Sequence, residues 1–147
     1  MKKFFVVQSI ILFSGVLFAW STVASDFLRF LQNQGVNPLT TPCFYGAIGF
    51  LVAYFYSLFI LFTTSEKQKR HQKYLAIFLV AGTLFGWGNF TLEFCKFYFF
   101  KNPTSCSGLA VSTPFATPCF YGSVLYLLSL ISSIVSFKKI KAKPNIK

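Results

Sequence analysis

The residues best suited to chemistry in this chain are its four cysteines, Cys43, Cys95, Cys106 and Cys119. Cys43 and Cys119 hold the same place in a hexapeptide, Thr-Pro-Cys-Phe-Tyr-Gly, found at Thr41 to Gly46 and again at Thr117 to Gly122. Such a segment reads as the start of a helix: the threonine caps, the proline suits the first helical position, and the cysteine falls in the first turn. The positive end of the helix dipole favours a thiolate there, which is where a nucleophilic sulfur belongs. Thr-Pro helix starts are common, so the motif alone does not mark catalysis.

The duplicated hexapeptide ends a longer match. Pro38 and Pro114 precede the two copies at equal distance. Upstream, Gly15 to Trp20 answers Gly82 to Trp87, and Asp26-Phe27-Leu28-Arg29-Phe30 answers Glu93-Phe94-Cys95-Lys96-Phe97. A chain patterned this way is expected to contain two copies of one supersecondary unit. The expected division is one integral membrane domain, with repeats over about 4–62 and about 74–137 and a basic tail over 138–147.

The membrane assignment comes from composition. The chain is 54% hydrophobic and only 12% charged, against the roughly 25% charge of soluble domains. Four uncharged apolar runs, Phe4 to Trp20, Cys43 to Phe62, Tyr74 to Phe90 and Cys119 to Phe137, each approach the ~20 residues that cross a bilayer as helix. The runs are continuous rather than alternating, which excludes a barrel. The expected fold class is therefore an all-α membrane protein. Its four transmembrane helices form two tandem hairpins of the same orientation.

Of the 14 basic residues, all but Arg29, Lys96 and Lys101 lie on one side of the four spans. That asymmetry predicts cytoplasmic termini and a cytoplasmic connector from Thr63 to Lys73, in a bacterial plasma or inner membrane. It also explains the net charge of +11 without nucleic acid; the expected partners are the lipid bilayer and a protein in or outside it. Lys2 and Lys3, the apolar run and Ala24 also read as a cleavable signal peptide. The first span has a counterpart in the second unit, so it is expected to be retained.

Two features of each unit call for packing roles. The small-residue pairs Gly15 with Ala19 and Gly82 with Gly86 permit close helix approach in lipid, and predict that the first spans of the units meet. Trp20 and Trp87 suit the headgroup level. Beyond them, Phe27 with Phe30, and Phe94 with Phe97, recur at helical spacing, predicting short interfacial helices on the outer side. Asp26 with Arg29, and Glu93 with Lys96, are spaced to pair along those helices. The second unit carries extra residues around Lys101 to Gly108, where Pro103, Ser105, Ser107 and Gly108 signal turns.

All four cysteines fall on the non-cytoplasmic side, where thiols oxidise. Equivalence of Cys43 and Cys119 suggests that they bridge the two units, leaving Cys95 to bridge Cys106 locally. Three functional classes follow. The foremost is a non-catalytic structural or partner-binding component with a disulfide-bonded cap. The alternative is a membrane thiol–disulfide oxidoreductase, using Cys43, Cys119, Cys95 and Cys106 to pass electrons between a soluble partner and a quinone. The layout is similar in architecture to the small four-helix thiol oxidases that form disulfides in bacteria. Those carry a Cys-x-x-Cys pair, which this chain lacks. A channel or carrier comes third, because no ionisable residue lies within a span. No cofactor and no metal site are assigned; a two-thiolate copper(I) arrangement at Cys43 and Cys119 is the nearest the sequence comes to one. His71, the lone histidine, lies on the opposite side from the cysteines, and no phosphate loop or dinucleotide fingerprint is present.

Overall fold

The computed structural model describes residues 2–99, 105–106 and 110–141. Four long helices make up the bundle: α1 (Lys2–Leu31), α2 (Pro42–Phe62), α3 (Ser65–Phe99) and α4 (Pro118–Lys141). Each is long and apolar enough to span a membrane. Large apolar side chains such as Ile10, Leu17, Phe55, Phe62 and Leu84 face outward from the bundle. A surface of that kind is compatible with lipid and not with water.

The helices are longer than the apolar runs. At 1.5 Å per residue the 30-residue α1 reaches about 45 Å, well beyond the ~30 Å hydrocarbon layer. The short interfacial helices expected after Trp20 and Trp87 are thus not separate elements; they are the last turns of α1 and α3. No proline interrupts Ser21–Ser25 or Asn89–Thr91, so the i→i−4 ladder simply continues. The ladder of α1 stops only at Asn33, in the left-handed region at φ 55°, where Gln34 N–H reaches back to the Arg29 carbonyl. For the same reason most of the expected polar connector, Thr63 to Lys73, is the first two turns of α3. Only Thr63 and Thr64 separate it from α2.

Each Thr-Pro-Cys segment follows a one-turn 3₁₀ helix, at Pro38–Thr40 and Pro114–Ala116. Pro42 and Pro118 take the first position of α2 and α4, as the sequence predicts. The caps differ from expectation. The Thr41 hydroxyl donates to the Pro38 carbonyl and gives α2 no side-chain cap. The Thr117 hydroxyl donates likewise to Pro114 and also accepts, at 3.4 Å, from Phe120 N–H.

The helices pack as a ring, α1 against α2, α2 against α3, α3 against α4, and α4 against α1. The first spans of the two units, α1 and α3, therefore occupy opposite corners and do not pack on each other through their small residues, meeting instead through a side-chain contact between Gln8 and Gln72. Their small residues receive aromatic rings from the second spans instead. A side chain at Gly15 would strike the Phe50 ring, and one at Gly82 the Tyr126 ring. Phe50 and Tyr126 stack on each other at 3.9 Å between ring centroids, in a core shared with Leu12, Ala53, Ile60 and Leu79. Across the middle of the bundle, the Tyr126 hydroxyl donates to the Gly46 carbonyl at 2.9 Å.

At the end holding the α2–α3 turn, the core turns polar. Gln72 donates to the Gln8 side-chain oxygen at 2.9 Å and to the Ser133 hydroxyl at 2.9 Å, with all three residues fully buried. Ser9 and Ser57 bond to each other at 2.9 Å. Interhelical side-chain hydrogen bonds of this kind hold helices together where hydrophobicity cannot.

Candidate functional site: a three-sulfur cluster over an apolar cavity

Cys43 and Cys119 are each the second residue of a helix, so the amino ends of α2 and α4 carry their thiols to one place. Cys106 enters between them from a turn outside the helices. Its Sγ stands 2.8 Å from that of Cys43 and 2.7 Å from that of Cys119, and all three sulfurs lie within 4.8 Å of one another. Cys95, half-buried on α3, is not a member of the group. All four residues are thiols in this structure.

Cys106 is held in place by a carboxylate. Its backbone N–H donates to Glu93 Oε1, while the other carboxylate oxygen, Oε2, is buried without a partner. Glu93 is only 6% exposed. Among the described residues no ion pair joins it to Lys96, although Asp26 does pair with Arg29 at 3.9 Å. The Cys106 thiol is pushed above the usual range. Its hydrogen bond with Cys119 pulls it down, but the bond with Cys43, burial, and the charges of Cys43 and Glu93 together outweigh that.

Directly beside the sulfurs lies an apolar, partly open cavity of about 50 Å³. That is well below the ~300–1,000 Å³ of ready-made small-molecule sites, so a ring-sized occupant would enter by moving the lining side chains. Cys43 and Cys119 line it together with Phe18, Phe50, Phe85 and Tyr126. Its few hydroxyls are already engaged: Thr22 donates to the Phe18 carbonyl and Ser123 to that of Cys119. The two hexapeptide glycines, Gly46 and Gly122, both line the cavity, and a Cβ added at either would meet nothing within 4 Å. A second cleft of about 310 Å³, of mixed polar and apolar lining, shares Thr22 and Pro118 with it and is lined by Ser21, Ser25, Asp26, Arg29 and Ser105.

The remaining sequence candidates are distributed as follows. Ala19 and Gly86 line the apolar cavity, and Gly15 and Gly82 seat the Phe50 and Tyr126 rings deeper in the bundle. Trp20 is exposed beside Phe44, and Phe27 and Phe30 face outward. Phe94 joins Phe90, Tyr98 and Phe115 in an aromatic group, Phe97 touches Tyr98, and Trp87 packs on Phe90. Pro103, Ser107 and Gly108, the turn-forming residues of the extra segment, and most of the basic tail lie outside the described residues. His71, remote from the cysteines in sequence and site, bonds to the Tyr56 hydroxyl at 2.9 Å. Sequence reasoning did not single out Tyr126, nor the link between Glu93 and Cys106. An apolar run that carries Tyr126 offers no signal for the first, and a carboxylate bound to a distant backbone N–H offers none for the second.

No protein-family model, no curated protein and no solved structure matches this chain. The function has to be read from the site.

Proposed function

We propose that this membrane protein is a thiol–disulfide oxidoreductase, with Cys43, Cys106 and Cys119 as its exchanging sulfurs and the apolar cavity as the seat of a quinone. One observation carries the reading: three thiols from three separate segments share one exchange distance at the edge of a lipid-compatible cavity. A structural staple uses two sulfurs. A third within reach means that any disulfide formed has a thiol beside it, which is the condition for exchange.

The chemistry balances as a two-electron relay. Cys106, bonded to either helix cysteine, offers its disulfide to a soluble dithiol on the non-cytoplasmic side, beside the second cleft. Exchange oxidises that dithiol and leaves two thiols in the cluster. These give two electrons and two protons to the quinone, yielding a hydroquinone and restoring the disulfide. Cys43–Cys119 is the pairing that leaves Cys106 free, and Cys106 can join whichever partner is vacated. Cys95 has no part in this scheme, so the local Cys95–Cys106 bridge is replaced in it by exchange with the helix cysteines.

The structural reading keeps one observation in its favour. The same cluster ties α2, α4 and the extra segment together, as a cap would. Turnover separates the two: protein in lipid, given a reduced dithiol and a soluble quinone, oxidises the one and reduces the other. If Cys43→Ser and Cys119→Ser lower stability but leave dithiol oxidation unchanged, the cluster is a staple.

A further inference from the structure

We propose that, when reduced, Cys43, Cys106 and Cys119 form a site for a soft monovalent cation, copper(I), bound by three thiolates. The inference goes beyond the oxidoreductase reading and does not depend on it. The donor set is the first support. Three sulfurs lie within 4.8 Å of one another, and among the described residues no histidine, carboxylate or fourth cysteine completes the group. Structural zinc takes four protein ligands and catalytic zinc adds a water to three, whereas a three-donor, sulfur-only site at the edge of an apolar cavity suits soft, low-coordinate copper(I). The sulfurs need to spread to admit an ion, and Cys106 sits on a turn rather than a helix.

Charge is the second support. Binding converts three thiols and one Cu⁺ into a complex of net charge −2 and releases three protons. The amino ends of α2 and α4 both face that complex, each with about half a positive charge from the helix dipole. Glu93 gives a third, independent indication. It anchors the ligand residue Cys106 through the backbone N–H, as outer-shell carboxylates do at metal sites. Its other oxygen is buried with no partner.

The test is a competition titration. Reduced protein in detergent, without oxygen, is titrated with copper(I) against a chromogenic copper(I) chelator, and the bound metal is examined by X-ray absorption. The expected result is one copper per chain in an all-sulfur, three-coordinate environment. Cys106→Ser should weaken binding by more than about 100-fold, the upper end of what outer-shell losses cost, and Cys95→Ser should leave it unchanged. Because serine variants can misfold, the native protein is also blocked reversibly with a small methylthiolating reagent, which should abolish binding and restore it on release. Failure to compete with the chelator, a two-sulfur environment, or equal losses for Cys95→Ser and Cys106→Ser would overturn the proposal. Three-sulfur binding by protein that never reduces quinone supports the metal site while ending the redox reading. Normal turnover with no copper competition does the reverse.

Discussion

Asp26 and Glu93 each stand six residues after a tryptophan, and each is 6% exposed. Asp26 pairs with Arg29 one turn away on its own helix. Glu93 ignores the lysine at the same spacing and reaches a backbone N–H outside its helix, that of Cys106. Asp26 thus has an ion pair within its own helix, whereas Glu93 brings in a sulfur. What separates them is the extra segment, which only the second unit carries. The site lies where the second sequence unit departs from the first.

The strongest way to break that contrast is to remove the sulfur it delivers. Cys106→Ser should reduce dithiol-to-quinone turnover by about 10³-fold or more, as loss of a covalent nucleophile does. Cys95→Ser, measured in the same assay, should stay near wild type. Next in size is the cavity. A Cβ at Gly46 or Gly122 meets nothing within 4 Å, so Gly122→Leu, which extends into the cavity, should raise the quinone concentration needed for half-maximal rate by roughly 10–100-fold. Dithiol exchange in a single turnover should be unaffected.

The Glu93 carboxylate is then read in alkylation kinetics. Glu93→Ala removes a charged acceptor worth roughly 1.5–3 kcal/mol, so Cys106 should react about tenfold faster or more with a membrane-impermeant reagent. Glu93→Gln, which keeps an acceptor oxygen, should change its exposure little. Acidity sharpens the point. The Cys106 thiol titrates above its ordinary value, so its alkylation should still be rising past about pH 8.5. The folded state holds that proton more tightly than the unfolded chain, so the associated stability is present below about pH 8.5 and declines as pH climbs through the folded value. Glu93→Gln removes one of the raising charges and should move the alkylation profile toward lower pH. The smallest effect is expected at Tyr126→Phe, which loses one hydrogen bond to the Gly46 carbonyl and about 1 kcal/mol of thermal stability.

The four spans were legible because lipid demands unbroken apolar runs, and such runs have no soluble explanation. Helix ends were not. Ser65 to Lys73 is as polar as a loop, yet it lacks the glycine or proline that would stop a helix, and it extends α3. Ring packing was hidden for a related reason. Gly15 and Gly82 do mark close approach, but a small residue does not say whether a backbone or a Phe50 ring will fill the space. At the site, Cys43 and Cys119 stood out through their shared hexapeptide. Cys106 did not, since nothing in the first unit corresponds to it and only tertiary structure brings it between two helix ends. Glu93 misled for the same reason: Lys96 is visible at helical spacing, whereas the amide it binds is not.

The buried Gln8–Gln72–Ser133 contact has a consequence for how the chain assembles. Those amides sit far from the sulfurs and join α1 to the opposite hairpin, so sliding one hairpin along the other would strand an amide in oil. The bundle is keyed at one extremity and left adjustable at the other. Severing the chain between Thr63 and Thr64 and producing the halves together should therefore still yield a matched pair.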